Sequence, residues 1–422
     1  MKTTDYAAFV SLDWGDKTHA FAFQLAATDS IETGMLAANA ETFHSWLDQL
    51  HVRCDGRRAA IAIEAGCRAL LFAMAEHPWL DVFVIHPATC ARFRGAFRPS
   101  GAKDDIPDAK TLLTIVTQHR DKLEVWRIDS APTRELAALV LARRQAVNRR
   151  TQLSNQLRTV LKSYFPQALE LIGDELERPL ALDFLQRWPD LSAAQKARPA
   201  TLRGFYNQHT VRRPQLIEQR IALIQQARPL VSDPALIAPA VMQVQMFVEM
   251  LRVLQKHVER FETRIEAAFA AHPAAAFFRQ LPGVGPVFGP RLLVAFGDDR
   301  TRYPAAANLQ MLAGVAPVQE KSGQQLWIHW RWLAPVFLRQ TFVEWSGQTV
   351  LHSAWARAFY MRQKRLGKHR NAILRALAFK WIRILWRCWQ NNEPYDEARY
   401  HDALKRRRSP LADELATNLT AA

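Results

Sequence analysis

At Pro132 the periodicity of the chain changes, and that change restricts the possible architecture more than any other feature. Ahead of it lie short apolar runs of strand length, Phe9 to Asp13, His19 to Leu25, Ala59 to Glu64 and Val82 to Ile85. Helical stretches intervene at Glu41 to Leu50 and Ala69 to Glu76. Behind Pro132, Leu136, Val140, Val147, Leu157 and Leu161 recur at helical spacing, with the proline in the first turn and Pro166 as the stop. The expected fold class is therefore α/β plus α: an α/β domain over residues 1–130 and a mostly helical remainder. A second helical stretch from about Gln215 to Ala271 holds Pro229, Pro234 and Pro239, so it is expected to break before the amphipathic run Val241 to Phe269. Paired with the first, it would make a helical coiled-coil arm and linker over residues 131–271, although the heptads are irregular. Beyond it, a compact turn at Leu281-Pro282-Gly283-Val284-Gly285-Pro286 leads into an apolar helix ending near Gly297, and a further domain runs over residues 272–400 before a polar tail at 401–422.

The chain has 422 residues, a net charge of +16 and 49% hydrophobic residues, which excludes a disordered tail and points to a folded protein with a polyanionic partner. Between Arg134 and Lys162 the bases Arg143, Arg144, Arg149, Arg150 and Arg158 face a single acid, Glu135. From Trp355 to Arg408 there are fifteen Lys or Arg against four acids, among them Arg365, Lys368 and Arg370, interleaved with aromatic residues. Repeated cations with so few acids suit phosphate contacts. Trp381, Leu385 and Trp389, at i, i+4 and i+8, read as a core stripe before they read as a stacking platform. Four scattered cysteines imply neither a disulfide framework nor a zinc site. No signal-like N-terminus and no uninterrupted apolar run of membrane-spanning length is evident, so a cytoplasmic protein with no membrane partner is expected.

Asp13 ends one apolar strand and Glu64 another, so their carboxylates converge if those strands are neighbours. Asp105 and Asp108, in Lys103-Asp104-Asp105-Ile106-Pro107-Asp108, share a face if a helix starts there. Clustered carboxylates repel unless a cation neutralises them, and oxygen ligands of this kind suit Mg²⁺ or Mn²⁺. Acidic caps and solvated strand ends account for the same residues equally well. Ser322-Gly323 reads as part of a non-periodic loop, where a serine has room for substrate and neighbouring Lys321 would favour its alkoxide; an ordinary turn has the same signature. The Pro-Gly-Val-Gly-Pro turn suits either phosphate contact or a purely structural turn.

These segments, in this order over most of the chain, resemble the DEDD insertion-sequence transposases, the family that includes the Piv-type DNA invertases. Ser11-Leu12-Asp13-Trp14-Gly15-Asp16-Lys17 is similar to the family's first acidic segment, and Ile61-Ala62-Ile63-Glu64-Ala65-Gly66 to its second. His86-Pro87-Ala88 followed by Lys103 to Ala109 is similar to its last, with Asp104 standing where the family has Thr, which leaves Asp104 as an alternative to Asp105. Ala313-Gly314-Val315-Ala316-Pro317 followed by Ser322-Gly323, the segment Phe359 to Ala372, and Pro394-Tyr395-Asp396 complete the match. One departure is that Gln324-Gln325-Leu326-Trp327 is neutral and apolar where the family follows Ser-Gly with basic residues.

The resemblance implies a RuvC-like, ribonuclease-H-type N-terminal domain, a coiled-coil arm and a C-terminal transposase domain. It implies a metal-binding tetrad of Asp13, Glu64, Asp105 and Asp108, with Mg²⁺ or Mn²⁺ as cofactor, and Ser322 as a nucleophile that forms a covalent bond to DNA. The implied partners are donor and target DNA, a structured guide (bridge) RNA and further copies of the chain as a dimer or tetramer, at the nucleoid when acting. Arg143, Arg144, Arg149, Arg150, Arg365, Lys368 and Arg370 are the expected nucleic-acid contacts. Two rival readings are a RuvC-like structure-specific endonuclease using metal-activated water and a non-catalytic basic nucleic-acid-binding protein.

Overall fold

The computed structural model describes residues 6–97 and 104–420. These fall into two compact units, residues 1–128 and 129–422.

The first unit is built on a mixed five-stranded sheet. β1 (Ala8–Asp13), β2 (Thr18–Leu25) and β3 (Glu32–Ala37) form an antiparallel meander, and α1 (Ala40–Arg53) crosses back so that β4 (Ala59–Glu64) joins β1 in parallel. α2 (Arg68–Ala75) then leads to β5 (Leu80–Ile85), parallel to β4, which gives the order β3-β2-β1-β4-β5. α3 (Pro87–Phe97) and α4 (Asp105–Gln118) complete the unit. The four expected strands are present. β3 escapes a sequence reading because Leu36 is its only buried residue, so it has no apolar alternation.

Side-chain alternation gives the sheet two unlike faces. Val10, Leu12, Phe21, Phe23, Ile61 and Ile63 pack with Phe43 and Trp46 of α1 and Leu70 and Met74 of α2. The opposite face carries Ala20, Ala22, Ala60 and Ala62, and α4 covers it through Ala109, Leu112, Leu113 and Val116. Small residues let the helix approach closely. Ser11 Oγ donates to Ala109 O at 2.6 Å, a buried bond that pins α4 to β1.

In the second unit α5 (Ala131–Tyr164) runs antiparallel to α11 (Pro234–Ala271), as the pairs Glu135–Arg264, Arg143–Glu262 and Arg150–Gln255 record. Between them α6 (Ala168–Ile172), α7 (Pro179–Arg187), α8 (Leu191–Gln195), α9 (Pro199–Gln208) and α10 (Pro214–Gln226) gather Phe165, Phe184, Trp188, Phe205 and Tyr206 into a core with the facing ends of α5 and α11. The expected break before Val241 falls earlier: α11 starts at Pro234 and continues through Pro239. A proline in the second turn removes one hydrogen bond, and burial of Val244, Phe247, Val248 and Leu251 holds the helix through it. α11 is long and apolar enough to cross a membrane by length and composition, which the sequence reading did not anticipate; here that buried stripe packs into protein.

The chain continues as α12 (Ala275–Arg279), α13 (Gly285–Phe296), α14 (Ala306–Leu312), a hairpin of β6 (Val318–Ser322) and β7 (Gln325–His329), then α15 (Val336–His352), α16 (Ala354–Arg365), α17 (Arg370–Asn391), α18 (Glu397–Arg406) and α19 (Pro410–Thr420). Trp345, Trp355, Trp381 and Phe296 are fully buried at its centre, and Trp381, Leu385 and Trp389 form a core stripe. The hairpin replaces the irregular loop expected around Ser322.

One carboxylate ties the start of α5 to the loop after α13. Asp298 Oδ2 accepts from Ser130 N at 2.6 Å and its Oδ1 from Thr133 Oγ1 at 2.5 Å, while Thr133 meets His272 Nε2 at 2.7 Å. Burial pushes this carboxyl up, but the Ser130 and Thr133 hydrogen bonds and nearby His272 outweigh it and hold it below the ordinary value. A lowered folded pKa gives stability that is present above the unfolded carboxylate range near 4 and is lost as pH falls through the folded value. Asp298→Asn is expected to lower the unfolding free energy by roughly 1–3 kcal/mol at neutral pH. It should also flatten the loss of stability below about pH 5, read from thermal melts of both proteins across that range.

Candidate active site

The parallel register of β1 and β4 matches Leu12 with Ile63, so Asp13 and Glu64 follow side by side at the carboxyl ends of adjacent strands. Alternation places Asp13 on the face of Ser11 and Glu64 on the face of Ala60 and Ala62, which is the face that α4 covers. Cys90 of α3 reports the same neighbourhood. Burial pushes its thiol up to about 12, and the charges of Glu64 and Asp13 add to the shift while Arg94 opposes it.

Asp108 lies one turn into α4, beside the Ala109 carbonyl that Ser11 holds. It is 6% exposed. Its Oδ1 accepts from Arg94 Nε at 2.7 Å, and its Oδ2 is buried without a hydrogen-bond partner among the described residues. A buried carboxylate oxygen left unpaired is costly unless a cation or donor reaches it. Asp13, Glu64 and Asp108 thus share one side of the sheet and fit a hard divalent cation by donor chemistry. The helix proposed to start at Asp105 does start there, with Asp104 at its N-cap; both side chains are exposed. Lys103 lies outside the described residues. Among the described residues no three His, Cys, Asp or Glu side chains are already gathered closely enough to hold a metal ion.

Trp14 locks the two acid-bearing loops together, a role that sequence reasoning missed. Its indole Nε1 donates to Glu64 O at 3.1 Å. At Gly66, where φ is +150°, a Cβ would lie 2.5 Å from the indole ring. Glycine is needed there for the ring to lie against the backbone.

Ser322 is the last residue of β6 and is exposed. Gly323 takes φ +58° at the first central position of the two-residue turn, as a type II′ hairpin requires. Ser322 pairs with Gln325, and Lys321 with Leu326 on the other face of the ribbon, so Lys321 points away from the serine it was expected to activate. The hairpin is fixed at its base. Trp330 lies under Arg375 at 3.9 Å and Arg339 at 5.0 Å, and Gly314 gives way to Ala334, whose Cβ would be 2.4 Å from any Cβ placed there.

A family model named for DEDD transposases of the IS110 type, described as a transposase, matches residues 10–166. A second, for the transposase IS116/IS110/IS902 family, matches residues 275–361. The chain belongs to the IS110-type transposases. The first match contains Asp13, Glu64, Asp105 and Asp108 and the second contains Ser322. The "Mini-circle putative transposase for IS117" of Streptomyces coelicolor is 28% identical over 403 residues, covering 93% of this chain and 96% of that protein. The IS110 43.6 kDa protein of the same organism is 25% identical, with the same coverage of both chains. A pilin gene-inverting protein of Moraxella bovis is 29% identical over 142 residues, 30% of this chain and 40% of that protein.

The expected nucleic-acid contacts differ in their surroundings. Arg143 pairs with Glu262, Arg144 donates to Gln340 at 2.8 Å, Arg150 donates to Gln255 at 2.8 Å and Arg365 pairs with Glu414. Arg149, Lys368 and Arg370 are exposed. The Pro282–Pro286 turn is packed from one side: Trp345 Nε1 donates to Pro282 O at 3.0 Å, and a Cβ on Gly283 would meet Gln348 and His352 of α15 at 2.9–3.1 Å. Gly283 therefore answers helix packing, whereas Gly285 has open space around it. Tyr395 is likewise structural, accepting from Trp355 Nε1 at 2.8 Å.

Arg94 pairs with Asp108. Arg94→Gln is expected to destabilise the first unit by about 2 kcal/mol, less than a fully buried pair because the arginine is 22% exposed. Millimolar Mn²⁺ should recover part of that loss, and melts with and without the ion check both statements.

Proposed function

We propose that this transposase cuts and rejoins DNA through a covalent serine intermediate, with the acids of a ribonuclease-H-type first domain holding divalent metal. The observation that carries the reading is that Asp13 and Glu64, at the ends of adjacent parallel strands, lie on the face of the sheet covered by the helix that bears the buried Asp108. Asp13, Glu64, Asp108 and Asp105 would be the ligands, with Asp104 the alternative to Asp105. Bound there, Mg²⁺ or Mn²⁺ would supply positive charge to phosphoryl and leaving oxygens.

Ser322 stands at a hairpin tip with its hydroxyl exposed, as an attacking group needs. In the proposed step its Oγ bonds to phosphorus as the bond to O3′ breaks. That leaves a 5′-phosphoserine and a 3′-hydroxyl that takes up the serine proton, and attack by another 3′-hydroxyl reverses the step and rejoins the strands. The exposed Arg149, Lys368 and Arg370 support backbone contacts to nucleic acid. Donor and target DNA, a structured guide RNA selecting them by base pairing, and a dimer or tetramer built along the α5–α11 arm (residues 131–271) belong to the same reading, as does action in the cytoplasm, where the DNA is. The serine would belong to a transposase domain over residues 272–400.

A suicide DNA substrate incubated with protein, guide RNA and Mg²⁺ should give an adduct that survives denaturing electrophoresis and maps to the Ser322 peptide. Ser322→Ala and Asp108→Asn should each reduce it at least a hundredfold while leaving RNA binding unchanged. Undiminished strand cutting by Ser322→Ala would replace this reading with a nuclease that uses activated water.

A further inference from the structure

The departure after Ser322 acquires a meaning in the hairpin. Along β6 and β7 the pairs Val318–His329, Glu320–Trp327 and Ser322–Gln325 share one face, while Gln319–Ile328 and Lys321–Leu326 share the other. Ser322 and Trp327 therefore project from the same side, one cross-strand step apart, roughly 6–7 Å along the ribbon. That is about the span of one extended nucleotide.

Trp327 is 45% exposed. Its neighbours on that face are mostly polar, and the one acid, Glu320, is met by His329 at 3.2 Å. The exposed Leu326 and Ile328 lie on the opposite face of the ribbon, so among the strand residues on Ser322's face Trp327 is the exposed apolar side chain, and its flat ring suits a base, every one of which has a flat face to stack. Cations gather at the foot of the hairpin. The hairpin's base rests through Trp330 on Arg339 and Arg375, and Arg375 belongs to α17, which opens with exposed Arg370 just after Lys368.

We propose that Trp327 stacks an unpaired nucleobase of the DNA strand whose phosphate Ser322 attacks, holding that phosphate in register with the hydroxyl. The inference rests on the reading of Ser322 as nucleophile. It also accounts for the neutral Gln324–Trp327 segment: the strand is gripped there by its base and not by its charge.

The test uses the full chain in excess chelator, so that no strand is cut, with a single-stranded thymidine 20-mer carrying 5-iododeoxyuridine at its centre. Irradiation should crosslink the base to the peptide containing Trp327, in wild type and in Ser322→Ala alike. Trp327→Ala should lose the crosslink and weaken the dissociation constant about tenfold, with an unchanged salt slope because no phosphate contact is removed. Trp327→Phe should bind within about threefold of wild type. A crosslink confined to other peptides, an unchanged affinity in Trp327→Ala, a crosslink with the equivalent iodouridine RNA only, or a change of oligomeric state as the sole effect would each overturn the proposal. Because the crosslink is read without cutting and in Ser322→Ala, it is separable from the adduct assay: loss of the serine mechanism leaves it intact, and its absence leaves that mechanism intact.

Discussion

Pairing β1 with β4 in parallel forces Asp13 and Glu64 into adjacent positions, and two carboxylates held that close repel each other unless positive charge is supplied. Much around them answers that constraint. Arg94 comes in from α3 to meet Asp108, and Cys90 stays a neutral thiol in their field. Trp14 seals the loops that follow the two acids, and the alanines at Ala20, Ala22, Ala60 and Ala62 make the face shallow enough for α4 to bring a further acid onto it. Among the described residues, the buried Asp108 Oδ2 accepts no hydrogen bond.

The second unit treats its serine in the opposite way. Ser322 is held out from the core on a two-stranded ribbon whose rigidity comes from its base, where Trp330 is clamped by two guanidinium groups and Ala334 fills the space that Gly314 leaves. In the proposed reading, exposure would give DNA access and the anchored base would limit where the hydroxyl can travel. A nucleophile proposed for that position would gain precision from such an anchored element.

Much of this was legible in the chain, for identifiable reasons. The strands carrying Asp13 and Glu64 are short, largely apolar runs, and Ala59–Glu64 was readable to both of its ends. The helix from Ala131 to Tyr164 announced itself through Pro132 and its apolar spacing. β3 was not legible, because an edge strand with a single buried side chain leaves no pattern. The α6–α9 helices were missed because they are five to ten residues long, too short for a repeated apolar pattern, whereas the stretch read from about Gln215 takes in α10. The hairpin was missed because β6 and β7 are almost wholly exposed and carry no inside–outside alternation, β7 placing Leu326, Trp327 and Ile328 in a row, so the Gly323 turn signal stood without alternating strands to flank it. Pairing of the two acids depended on which strands are neighbours, a property of topology that spacing alone does not encode. The part played by Trp14 depends on the shape of two loops meeting.

The central claim is that DNA is cut and rejoined in two displacements at one phosphorus, through Ser322. The most direct measurement is the stereochemical course of strand exchange on DNA with a single chiral phosphorothioate at the scissile position. Two in-line displacements invert the centre twice, so the account predicts a rejoined product with the starting configuration retained. Inversion would show a single direct transfer with no serine ester, and would contradict it.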